Sequence, residues 1–133
     1  MFTITSQLGD GQGPWREAVM SANVSVLAQL MAVIEERKAN PPAKSYTTTL
    51  LNAGLPKIGA KITEEAAEVV AAAGEAGEEG RQHTIYEAGD VLYHLFVLLA
   101  HREIRLAEVE SELARRFGIS GIDEKAARPM KPE

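Results

Sequence analysis

At 133 residues, with 45% hydrophobic and 25% charged side chains, the chain has the size and make-up of one globular domain with its own core. A net charge of −5 and a pI near 5.3 argue against a general nucleic-acid binder, whose phosphate affinity comes from clustered lysine and arginine. The absence of cysteine excludes disulfides, thiolate catalysis and cysteine-ligated zinc.

Residues 1–20 are turn-rich, with Gly11, Gly13 and Pro14, and read as an N-terminal arm. They lack the basic start and apolar stretch of a secretory signal, and no run in the chain has membrane-spanning length, so a cytoplasmic, soluble protein is expected. From Ser21 to Lys38, Val24, Leu27, Leu30, Met31 and Ile34 follow helical spacing, and the helix ends ahead of Asn40-Pro41-Pro42. That stripe predicts core or a dimer interface. Ser45 then caps a short helix through Leu51, stopped by Gly54.

Residues 57–73 form a second long helix, ending at Gly74 in a Glu/Gly-rich loop that reaches Thr84. From Ile85 to His101, Val91, Leu92, Leu95, Phe96, Val97, Leu98 and Leu99 cover nearly the whole circumference, which predicts a core helix buried on most sides. A last helix from Leu106 to Phe117 uses Leu106, Val109, Leu113 and Phe117 as its inner face. No strand signal competes. The expected architecture is an all-α bundle of four to five helices over 21–128, with 129–133 as a C-terminal tail.

Two acidic stripes carry the chemistry. At 100° per residue, Lys61, Glu64, Glu65 and Glu68 fall within an arc of about 100° on the second long helix. On the core helix, Glu87, Asp90 and His94 fall within an arc of about 60° on an otherwise apolar surface. The first stripe alone is more often a solvated Lys/Glu face than a ligand set, and Lys61 serves as well for a salt bridge to Glu64 or Glu65 as for a phosphate contact. The second stripe is harder to dismiss, because an ionised carboxylate on a buried helix needs a compensating cation, although a first turn favours acids in any case. Facing helix-borne carboxylates with no thiolate suit Mg²⁺, or Mn²⁺, and such a metal site between two central helices suits phosphoanhydride hydrolysis. His94 fits a hydrogen-bonded core histidine at least as well as a catalytic one.

The pattern Glu64-Glu65-Ala-Ala-Glu68 followed by Glu87-Ala-Gly-Asp90 resembles the paired acidic motifs of the all-α NTP pyrophosphatase superfamily, in which these carboxylates bind Mg²⁺. Ser45-Tyr46-Thr47, Lys61, Leu92-Tyr93-His94 and the tail from Ser120 to Arg128 resemble the phosphoribosyl-ATP pyrophosphohydrolase family. The resemblance runs from Leu27 to Arg128. It implies hydrolysis of phosphoribosyl-ATP to phosphoribosyl-AMP and pyrophosphate, the second step of histidine biosynthesis, by a homodimer whose assembly completes the site. It also implies that Glu64, Glu65, Glu68, Glu87 and Asp90 are the catalytic metal ligands, and that Ser45, Tyr46, Thr47, Lys61, Lys125 and Arg128 bind substrate. Two rivals remain at this point: a house-cleaning nucleoside triphosphate pyrophosphatase of the same superfamily, and a non-catalytic helical dimerisation module.

Overall fold

The computed structural model describes residues 25–117; the N-terminal arm, the start of the first helix at 21–24, and Lys125, Arg128 and 129–133 lie outside the described residues. Five helices and no strand make up this span, so the all-α expectation holds. α1 (Val26–Ala39) opens on Ser25, whose hydroxyl accepts from the Leu27 amide at 3.2 Å. Arg37 and Lys38 sit in its last turn, where cations favour the carbonyl end, and Pro41-Pro42 prevent continuation. α2 (Tyr46–Ala53) is capped by Ser45, which accepts from the Thr48 amide at 3.2 Å. Gly54, at φ +84°, both ends α2 and begins α3 (Leu55–Ala73), a role that a side chain would strain.

The Glu/Gly-rich segment is not a loop to Thr84: only residues 74–76 separate α3 from α4 (Gly77–His101), a helix of 25 residues. Glu78 and Glu79 lie in its first turn, where the unpaired amides favour acids. Glu78 reaches Gln82 at 2.9 Å and Arg81 at 3.6 Å, side-chain pairs that only helical spacing provides. Glycine-rich composition suggests a loop, and these pairs together with packing against α3 override it.

So short a turn makes α3 and α4 antiparallel neighbours, and they form the most extensive helix pair. α1 and α2 cover one side of α4. The core joins Leu30, Met31 and Ile34 of α1, Leu50 of α2 and Ile58 of α3 to Tyr93, Phe96, Val97, Leu99 and Ala100 of α4. Each large side chain fully buried there contributes about 1.5–3 kcal/mol. Lys38 Nζ donates to the Ala100 carbonyl at 2.8 Å, joining the C-terminal ends of α1 and α4.

Three packing expectations need correction. The apolar residues of α4 do not bury its whole circumference: Ile85, Leu92 and Leu95 share one exposed stripe, while the rest of the 85–101 surface is buried or half-buried. Leu27, at the start of the α1 stripe, is exposed as well. α5 (Leu106–Arg115) ends two residues before Phe117 and buries no residue fully; Leu106 and Val109 touch the core, but Leu113 and Phe117 face outward. Spacing identifies an amphipathic face without saying whether this chain supplies its cover.

Candidate active site

α3 and α4 bring their acidic stripes face to face. One carboxylate oxygen each from Glu65, Glu68 and Glu87 lies within 4.8 Å of the others. Glu87 is 0% exposed, Asp90 2% and Glu65 3%, while Glu68 is half-buried. Because α4 begins at Gly77, Glu87 stands near mid-helix. The favourable field of a helix N-terminus fades beyond the first turn, so it does not account for Glu87 and Asp90.

Glu65 Oε2, Glu87 Oε2 and Asp90 Oδ2 are buried without a hydrogen-bond partner. Such atoms are costly unless a cation completes them. Burial pushes the Glu65 carboxyl up to about 7, reinforced by Glu68 and Asp90 and opposed by Lys61. Burial likewise raises Asp90 to about 6, with the charges of Glu87 and Glu68 adding and Lys61 subtracting. The donor set fits a hard divalent cation: all oxygen, charged, and short of positive partners.

Lys61 lies at the rim of this group, 3.5 Å from Glu65 and 3.3 Å from Glu64. Burial pulls its ammonium down, but the hydrogen bond to Glu64 and the charges of Tyr46, Glu64 and Glu65 leave it above its usual value. Glu64 is the outlying member of the predicted set, with 55% of its side chain exposed.

The Ser45-Tyr46-Thr47 segment meets α4 beside the site. Thr47 is fully buried and hydrogen-bonded to the Tyr93 hydroxyl. His94, also fully buried, donates from Nδ1 to the Asp90 carbonyl at 2.8 Å. That fixes Nε2 as the acceptor facing the Tyr46 hydroxyl at 3.5 Å. Burial lowers the His94 pKa, in keeping with a neutral ring held in the core. His94 thus braces the helix next to Asp90.

His83 is absent from the candidates drawn from sequence because it falls in the expected loop. On α4 it stands one turn before Glu87, with Nε2 3.2 Å from Glu87 Oε1 and Nδ1 2.9 and 3.0 Å from the two Glu75 oxygens. Hydrogen bonding to Glu75 is the main cause of its raised pKa, with Glu87 adding to it. The detectable signal is the i, i+4 spacing of His83 and Glu87, once the helix is extended upstream.

The family model described as phosphoribosyl-ATP pyrophosphohydrolase matches residues 27–117. The chain belongs to the phosphoribosyl-ATP pyrophosphohydrolase family. It is 53% identical over 114 residues to the phosphoribosyl-ATP pyrophosphatase of Rhodopirellula baltica, covering 86% of this chain and 95% of that protein. The Trichlorobacter lovleyi protein of the same name is 51% identical over 82% of this chain and 98% of its own length. That of Dinoroseobacter shibae is 50% identical over 79% of this chain and 100% of its own. The family resemblance and the hydrolase class drawn from the motifs agree with these matches.

Proposed function

We propose that this chain hydrolyses phosphoribosyl-ATP to phosphoribosyl-AMP and pyrophosphate, the second step of histidine biosynthesis, at the carboxylates between α3 and α4. The observation that carries the reading is the trio of unpartnered buried oxygens on Glu65, Glu87 and Asp90, in a chain whose relatives bear that enzyme's name. Glu64, Glu65, Glu68, Glu87 and Asp90 would hold Mg²⁺, with Mn²⁺ as a substitute, and Glu64 from the exposed edge. When bound, the ion polarises a phosphoryl oxygen and makes water more acidic.

One of these carboxylates accepts the proton of the attacking water as the new O–P bond forms and the anhydride P–O bond breaks, releasing pyrophosphate. Lys61, already drawn to the acidic rim, offsets part of the polyphosphate charge. Tyr46 presents its hydroxyl near the site, and Ser45 and Thr47 hold the first turn of α2 that carries it. The family resemblance assigns binding of the substrate phosphates to Lys125 and Arg128, which lie outside the described residues. The chain works as a cytoplasmic homodimer; the exposed Ile85, Leu92 and Leu95 of α4 support a second copy as their cover. No helix among the described residues is long and apolar enough to cross a membrane.

Side-by-side assays of phosphoribosyl-ATP and ordinary dNTPs, with and without Mg²⁺, test the reading through pyrophosphate release. Mg²⁺-dependent turnover that strongly favours phosphoribosyl-ATP is expected. Preference for dNTPs would instead identify a house-cleaning pyrophosphatase, and absence of Mg²⁺-dependent release would indicate a non-catalytic dimerisation module.

A further inference from the structure

Glu87 is buried completely, yet its two oxygens differ: Oε1 faces His83 Nε2 at 3.2 Å, and Oε2 has no partner. His83 is itself held from the other side, since Glu75 chelates its Nδ1 with both oxygens. Glu75 belongs to the turn between α3 and α4, and Gly80 explains how it comes so close. A Cβ at Gly80 would lie 2.6 Å from the Glu75 carbonyl carbon, so glycine lets the turn rest directly on α4. The result is a continuous relay from the turn backbone through Glu75 and His83 to the interior carboxylate.

We propose that His83 is a positioning residue for Glu87: anchored by Glu75, it holds Oε1, fixes the carboxylate rotamer and leaves Oε2 without a protein partner. This rests on the metal reading given above. A carboxylate that must find its own rotamer in a crowd of like charges binds a cation less well than one already oriented, and partners of this kind typically matter by about 10–100-fold in metal affinity or activity. An alternative role, merely closing the α3–α4 turn, needs Glu75 and leaves Glu87 out.

Two conservative variants separate these roles. In His83→Asn the shorter amide can still meet Glu75 but falls short of Glu87, whereas in His83→Gln the amide nitrogen reaches the place of Nε2. Mg²⁺ titrated calorimetrically into each metal-free protein, with its metal-free melting temperature as a control for folding, gives the readout. His83→Asn should weaken Mg²⁺ binding about 10–100-fold, and His83→Gln should recover most of it, at similar melting temperatures. Wild-type affinity in His83→Asn, or equal weakness in both variants, overturns the positioning role. A wild-type protein that binds no Mg²⁺ overturns the metal reading and this inference with it.

Discussion

Two glutamates lie one helical turn from basic residues, and their carboxyl groups move in opposite directions. Glu112 on α5 has 45% of its side chain exposed and accepts from Arg115 at 2.8 Å and Arg116 at 3.2 Å, which together hold it down at about 2. Glu65 on α3 has Lys61 at 3.5 Å, yet burial and the acids around it push it up to about 7. The single lysine beside Glu65 is outweighed by desolvation and like-charge crowding, whereas the two arginines beside Glu112 meet little opposition. The α3–α4 acids are therefore arranged against the local preference for neutral or paired groups, while those of α5 follow it.

The largest effect that tests this contrast is on turnover. Glu68→Gln and Asp90→Asn should lower Mg²⁺-dependent pyrophosphate release by about 10²-fold or more, with helical content unchanged by circular dichroism. Near-normal rates in either variant would remove that residue from the ligand set.

Stability should show the opposite sign. Folded Glu65 titrates near 7 against an ordinary value of 4.5, so between these values the folded state holds more protons than the unfolded one. Stability therefore falls as pH rises through that window, and the loss is complete above it. Asp90, at about 6 against 3.8, acts the same way over a lower range. Metal-free Glu65→Gln should accordingly exceed wild type by about 1–3 kcal/mol at pH 8 and by little near pH 5, read from denaturant midpoints. An equal difference at both values would show that Glu65 is not the raised group.

Two helical glycines extend the comparison to packing. Gly59 on α3 has open space where a Cβ would go, so Gly59→Ala should gain about 0.5–1 kcal/mol from helix propensity. Gly80 supports the Glu75 carbonyl, and Gly80→Ala should lose about 1–3 kcal/mol despite the same propensity gain. Melting temperatures moving in one direction for both would contradict the close approach. Smallest of all, Glu112→Gln should leave turnover unchanged, and whatever stability it loses should diminish in high salt.

Much of this architecture is legible in the amino-acid sequence. The helix stripes, the Ser45 cap, the Gly54 stop and the two facing sets of acids follow from spacing and residue type alone. The first eight residues of α4 do not, because Gly77, Gly80 and neighbouring glutamates read as a loop until Glu78, Arg81 and Gln82 are seen to pair along a helix. His83 is hidden with them. The exposure of Ile85, Leu92 and Leu95 is equally hidden, since one chain's apolar pattern does not reveal what packs against it.

The three connections among α1 to α4 leave very different amounts of slack. Gly54 alone joins α2 to α3, and the 74–76 turn is held by Glu75 against Gly80 and His83, so an added residue at either place would shift the helices that carry the site. Residues 41–44, between the end of α1 and the Ser45 cap, are largely exposed and hold no acid of the site. A reporter sequence or relocated chain ends should be accommodated there, where extra length costs only loop entropy.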